Sequence, residues 1–369
     1  MLKKEAFSPS QLLSMFVLFE LGTAVLVPIG LESGHAVWLS VLFALPGGIL
    51  LYLVFAQLYL QFPDQIISGY ARKILGKWLG WPLGLLFLPV LLYNGSRNLR
   101  EAGDLLITAS YDKTPILIIN SIMIVAVMYI LNKGIEVFAR TAEIFFWITI
   151  IMGCICIIAV IAAGLVEYRN LFPLHMSDYK EALKSAYPNI WIFPYGELMC
   201  FTTILPQFNQ PRKVRKAGVT AIILSACLLS FTHAIEMAVL GENLYGRVTF
   251  PMFTTITMVN IANFIQRLDA LVMLTLIIGV FFKLTVYCYA AVAVAADLFH
   301  IRDSRKLVNP AGVIMLFSSF VSAQNYSEHM KDGKAFLETI LPVFCAVIPI
   351  LLLVIHVIRR KFGLYRREG

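Results

Sequence analysis

The sequence predicts an all-α, polytopic membrane protein of ten transmembrane helices, arranged as an inverted repeat of five plus five in which helices one and six are discontinuous. Three observations predict it. Only 14% of the 369 residues are charged and 59% are hydrophobic, against roughly 25% charged in a soluble domain, so lipid must be the solvent for most of the chain. Apolar runs long enough to cross hydrocarbon recur from end to end, and the mean hydropathy is +0.79. Gly and Pro interrupt the first and the sixth of these runs, five spans apart.

Reading for apolar runs of about 20 residues bounded by charges or turns places the spans at 9–31, 37–61, 80–106, 114–131, 135–164, 182–206, 214–239, 268–297, 308–323 and 336–358. Residues 1–369 are thus expected to form one integral membrane domain, with an outer cap of short helices over 240–267. Lys3 and Lys4 precede a full-length span without a small-residue cleavage pattern, so the first span is expected to stay. With the N-terminus inside, 19 of the 30 Lys and Arg fall in inner segments and 8 in outer loops. Both termini are therefore expected to be cytoplasmic. The formal charge of +8 sits in short clusters at the ends of apolar runs, the pattern of a protein in a lipid bilayer, and no nucleic acid is implied. The six cysteines lie in apolar stretches without metal-ligand spacing and read as buried small hydrophobes.

Helix breaks inside hydrocarbon need partners for the freed backbone groups, because lipid offers none. The first span carries Glu20-Leu21-Gly22-Thr23-Ala24 and then Pro28; the sixth carries Pro188 and Phe193-Pro194-Tyr195-Gly196-Glu197. In transporters built from inverted repeats such half-helix ends meet at a site near the midplane. That predicts a central ligand cavity at the two breaks, with Tyr93, Asn94, Thr285 and Tyr287 as polar and aromatic candidates nearer to it.

Ionisable side chains at membrane depth must face a cavity, pair or neutralise. Glu20, Glu143, Glu197 and Lys283 fall at similar depth: Glu20 is about 17 Å into its span and Lys283 is about 14 residues from both Asp269 and Asp297. Glu20, Glu197 and Lys283 are the candidate charge or gating residues, and Lys283 reads equally as a functional charge or as one half of an ion pair with Glu20 or Glu197 that fixes packing. Arg97 with Glu101 and Arg100 with Asp104 are i,i+4 pairs near the outer end of span three and read as a solvated helix end in preference to an outer-vestibule role. His233 and Glu236 read as structural. No phosphate-binding loop, metal-spaced His pair or nucleophile elbow occurs, so no enzyme, cofactor or metal is expected.

Several stretches resemble the B-type membrane subunits of spore germinant receptors: Phe7-Ser8-Pro9-Ser10-Gln11-Leu12 leading to Gly22-Thr23-Ala24; Phe193 to Met199 followed by Pro206 and the basic 212–216 cluster; Pro251-Met252-Phe253 through Phe264 to Ala270; and Phe281-Phe282-Lys283 with Tyr287-Cys288-Tyr289. The resemblance spans essentially the whole chain. It implies a distant relative of amino acid, polyamine and organocation permeases, in the spore inner membrane, working with an A-type and a lipoprotein C-type subunit and sensing a small nutrient such as an amino acid to trigger germination. Carried over by position, the resemblance implies that Gly22, Thr23 and Ala24 in helix one and Pro194, Tyr195 and Gly196 in helix six frame the ligand; Thr23-Ala24 stands where permeases often have a Gly after the small residue, which leaves open how far helix one unwinds. An amino acid permease, with a proton handled by Glu20, Glu197 or Lys283, is the alternative that composition and breaks fit equally.

Overall fold

Ser8, Pro9 and Gln11 open the first helix. Ser8 Oγ accepts from the Gln11 amide and Gln11 Oε1 from the Ser8 amide, at 3.3 and 3.0 Å, while Pro9 occupies the first turn where no N–H is needed. In the computed structural model, which describes residues 7–109, 111, 113–260, 268–323 and 326–362, that helix is α1 (Pro9–Leu21). It is followed by α2 (Val37–Gln61), α3 (Ile67–Leu75), α4 (Lys77–Ala109), α5 (Ile116–Lys133), α6 (Ile135–Ala162), α7 (Met176–Ser185), α8 (Val214–Tyr245), α9 (Pro251–Thr257), α10 (Asp269–Leu298), α11 (Val308–Val321), α12 (Tyr326–Pro342) and α13 (Ile348–Lys361). The described residues contain no strand, and only an isolated bridge joins Phe7 to Phe208.

Among the described residues seven stretches are long and apolar enough to cross a membrane: Leu31–Gln61, Lys77–Ala109, Ile116–Lys133, Ile135–Ala162, Pro211–Tyr245, Asp269–Leu298 and Tyr326–Lys361. They coincide with seven of the ten predicted runs. The first, sixth and ninth runs contain shorter pieces: α1, an interrupted stretch from α7 to Gln207, and α11. Over 240–267 the chain kinks at Gly241, where φ is +67°, and forms α9; Lys3, Lys4 and the 261–267 part of the family-like segment lie outside the described residues. Cys156, Cys200, Cys288 and Cys345 are buried, whereas Cys154 and Cys227 are exposed on helix surfaces, contrary to the expectation that all six are interior. Residue type alone does not show which face of a membrane helix meets lipid.

Both breaks follow from side-chain chemistry. Gly22 ends α1, and residues 22–27 form tight turns in which Val25 bonds back to Leu21 and Leu26 and Val27 to Thr23. Pro28 has no N–H to continue a helix, and Gly30 takes φ +64°, a left-handed conformation open to glycine at no steric cost. In the sixth run α7 gives way to a π turn over Ala186–Ile190 containing the extended Tyr187, then to a 3-10 stretch over Tyr195–Thr203. Pro188 and Pro194 each remove a donor there. Asp178 caps the start of α7, accepting from the His175 amide at 2.5 Å, and this bond, helped by His35, holds its carboxyl below the ordinary range.

Close approach at glycine sets the two breaks against their neighbours. A Cβ on Gly279 of α10 would lie 3.0 Å from Gly22 Cα, and one on Gly48 of α2 would lie 2.7 Å from the Cβ and Cγ of the fully buried Tyr195. Gly48→Ala should therefore lower stability by about 1–3 kcal/mol through overpacking, read as a lower thermal midpoint in detergent, while Ala at the open Gly153 position inside α6 should not lower it.

Candidate functional site

Lys283 of α10 lies between the two breaks. Its ammonium is 2.6 Å from Glu197 Oε2 and donates to Thr23 Oγ1 at 3.1 Å, and both side chains of the ion pair are essentially inaccessible, at 0% and 1%. The contact to Glu197 is an ion pair rather than an aligned hydrogen bond. Phe193 and Phe19 present ring faces to the same ammonium at 4.4 and 5.4 Å from their centroids. The absence of a side chain at Gly22 lets the lysine stem pass, since a Cβ there would be 2.9 Å from Lys283 Cδ.

Helix α4 closes this into a ring of hydrogen bonds. Thr23 Oγ1 donates to Asn98 Oδ1 at 3.0 Å, Asn98 Nδ2 donates to the Asn94 carbonyl at 2.7 Å, and Asn94 Nδ2 donates to Glu197 Oε1 at 2.8 Å and to Tyr287 Oη at 2.6 Å. Every member is buried. Such a fully connected network is rigid, because removing any partner leaves another polar group without solvent.

Above the ring is a cavity of about 450 Å³, within the range of small-molecule sites. Thr23, Asn94, Asn98 and Glu197 form its polar floor, Val27, Ile29, Ile190, Phe193, Phe336 and Leu337 its apolar walls, and Arg97 and Glu101 a charged shelf higher up. Its mouth is on the face opposite the start of α1, where Glu32 and Lys334 approach to 3.6 Å. On the terminal face the way is filled: Arg72 pairs with Asp297 at 2.6 Å, Ser68 bonds the same carboxylate, and Phe7 packs on Phe208.

Of the predicted candidates, Thr23, Asn94 and Glu197 line the cavity, Lys283 bonds to Thr23 and Glu197 from behind them, and Tyr287 stays off the lining, accepting from Asn94. Gly22, Ala24, Pro194, Tyr195, Gly196, Tyr93 and Thr285 do not line it. Gly22 admits the lysine stem. The Ala24 carbonyl meets His233 Nε2 at 3.2 Å, while His233 Nδ1 is 2.9 Å from Glu236, so a buried pair on α8 satisfies a carbonyl freed by the break. Pro194 precedes the 3-10 stretch, whose Tyr195 hydroxyl donates to the Val41 carbonyl at 3.3 Å, and Gly196 packs near Cys345. Tyr93 stacks near Phe336 at 4.9 Å, and Thr285 bonds back to Phe281. Glu20 is fully buried, and neither of its oxygens has a partner among the described residues. Glu143 is half-buried on α6, away from the cavity lining.

Arg97 corrects the expectation of a solvated helix end: it is 7% exposed, donates to the His329 carbonyl at 2.9 Å and lines the cavity. Arg100 is buried too, bonding Asp104 and the Ser319 and Ala323 carbonyls at the end of α11. Asn98 was not a predicted candidate. The signal for both was the polar spacing 94, 97, 98, 101, which puts four hydrophilic side chains on one face of a membrane helix.

A helical membrane protein with two interrupted helices meeting beneath a cavity has the fold of secondary transporters. The chain matches Mhp1, a nucleobase-cation-symport-1 family transporter in a closed conformation with bromovinylhydantoin bound, with a TM-score of 0.71 and 14% identity over 99% of this chain and 82% of that one. It matches MhsT in complex with L-phenylalanine at 0.60 and 12%, covering 96% and 99%. Residues 6–327 match the spore germination protein family, and the chain belongs to it. It is 33% identical to spore germination protein KB of Bacillus subtilis (strain 168) over 368 residues, 100% of this chain and 98% of that protein, and 24% identical to spore germination protein YndE of the same strain over 88% of each.

Lys283→Met should cost about 3–5 kcal/mol by leaving the Glu197 carboxylate buried and unpaired, and adding Glu197→Gln should return part of that loss. Thermal unfolding of the two single variants and the double variant in detergent measures the coupling.

Proposed function

We propose that this chain is the membrane subunit of a spore germinant receptor, binding a small nutrient, an amino acid, in the cavity above the Lys283–Glu197 pair. The observation that carries the reading is that one buried cation bonds to both helix breaks directly beneath that cavity. A ligand touching Thr23, Asn94 or Asn98 alters the same ring that sets the two breaks against each other, so it has unequal affinity for two arrangements of the helices, which is what a sensor requires. Family membership and near-complete alignment with a spore germination protein support the receptor role.

The reading takes the interrupted first and sixth runs and α11 as spans alongside the seven long ones, giving ten in an inverted five-plus-five arrangement within a single domain. It sets the protein in the spore inner membrane with both termini in the cytoplasm and the cavity mouth outside, partnered by A-type and C-type subunits. In this reading Gly22, Ala24, Pro194, Tyr195 and Gly196 shape the breaks rather than touch the ligand, Tyr93 and Thr285 support the walls, and Glu20, Glu197 and Lys283 supply the charge.

Protein reconstituted in liposomes should bind a labelled amino acid without accumulating it, and Thr23→Val should weaken that binding about tenfold, the equivalent of one lost hydrogen bond. Accumulation of the label down a proton gradient would assign a permease instead.

A further inference from the structure

The charged shelf of the cavity is tied to the helix that roofs it. Met330, Lys331, Gly333, Lys334, Phe336 and Leu337 of α12 form one wall. Arg97 Nη1 donates to the His329 carbonyl of α12, and Gly333 lies so close to the guanidinium that a Cβ would be 2.0 Å from Nη2. Glu101 completes the cluster, 3.4 Å from both Arg97 Nη2 and His329 Nε2. At the mouth, Lys334 of α12 reaches Glu32 in the segment that follows the first break. Beyond Pro342 the helix passes through a π turn, Val343–Val347, before α13; Pro and π turns are where helices bend. Helix α12 is therefore a roof with a bend at one end and polar ties along its length.

Two of the five N–H groups of Arg97 are engaged among the described residues. Charges on the lining are three of each sign: Arg97, Lys331 and Lys334 against Glu32, Glu101 and Glu197. Glu197 is paired with Lys283 from beneath, Glu101 with Arg97 and Glu32 with Lys334, which leaves the charge of Lys331 over and a lining whose buried cation is Arg97, with donors to spare. A guanidinium is the side chain best shaped to receive a carboxylate through two parallel hydrogen bonds.

We propose that Arg97 is the specificity-determining residue of the cavity: it receives the anionic group of the ligand and, because the same guanidinium holds α12, makes the release of α12 depend on that group. This rests on the cavity being the ligand site. A carboxylate on Arg97 competes with the His329 carbonyl and Glu101 for its donors, and an amide in its place competes far less because it lacks the opposite charge and the second acceptor oxygen of the bidentate fork.

The test is pulsed dipolar spin-label distances between Thr108→Cys on α4 and Ala335→Cys on α12, both exposed, in full-length protein in lipid nanodiscs with Cys154 and Cys227 replaced by Ser. The probes are the standard L-amino acids, one at a time, and the C-terminal amide of each. Without ligand, Arg97→Gln and Lys334→Glu should each shift the distribution to longer distance, and Glu32→Lys combined with Lys334→Glu should restore the parental position. At least one amino acid should shift the parental protein, its amide should not, and Arg97→Gln should lose the response. Parental distances in both Arg97→Gln and Lys334→Glu, or an amide acting as well as its acid, would overturn the proposal. If calorimetry shows an amino acid bound while α12 stays still, this inference fails and the ligand reading stands. If Arg97→Gln moves α12 but nothing in the panel binds, the latch stands and the amino acid reading fails.

Discussion

An ammonium group removed from water is stable only where other groups replace its hydration, and in this protein two broken helices and a third packed beside them do so. Glu197 supplies the opposite charge, Thr23 a hydroxyl, and Phe193 and Phe19 their ring faces. The rest of the site follows from that requirement. Helix α1 ends at Gly22 so that the lysine stem can pass and α10 can approach. The sixth run is 3-10 rather than α from Tyr195, with Glu197 in its first turn. Asn94 and Asn98 of α4 bond the carboxylate and the hydroxyl that the ammonium leaves partly unsatisfied.

The arrangement makes the site both rigid and sensitive. A closed ring of buried hydrogen bonds has few ways to deform, so a ligand that engages one member changes the balance for all of them. The same fold in Mhp1 belongs to a transporter, and what separates sensing from transport is whether the opposite side opens. Here the terminal face is sealed by an ion pair joining α3 to α10 and by the Phe7–Phe208 contact. In the proposed receptor role only the cavity side has to respond.

Much of this was legible in the sequence because lipid makes rules strict. Seven long apolar runs could be nothing but helices, and the Gly and Pro positions in the first and sixth runs marked where the backbone departs from them. A lysine at membrane depth demanded a carboxylate, and Glu197 was one of the two partners foreseen. What was not legible depends on which helix lies over which. An i,i+4 pair such as Arg97 and Glu101 looks the same whether water or α12 covers it, and only the packing of α12 through Gly333 turns it into a buried shelf. Ala24, Tyr195 and Gly196 flank the breaks in sequence, yet their side chains or backbone groups are used by α8, α2 and the Val343–Val347 turn. Proximity to a break along the chain does not decide which way a residue faces.

The most direct measurement is a density map of the protein with the proposed amino acid ligand bound, at a resolution that shows side chains. The account predicts ligand density against Thr23, Asn94 and Asn98, with the Lys283 ammonium joining the two interrupted helices immediately beneath. Nutrient bound elsewhere on the protein, or first and sixth spans running as continuous helices with no space between them, would contradict it.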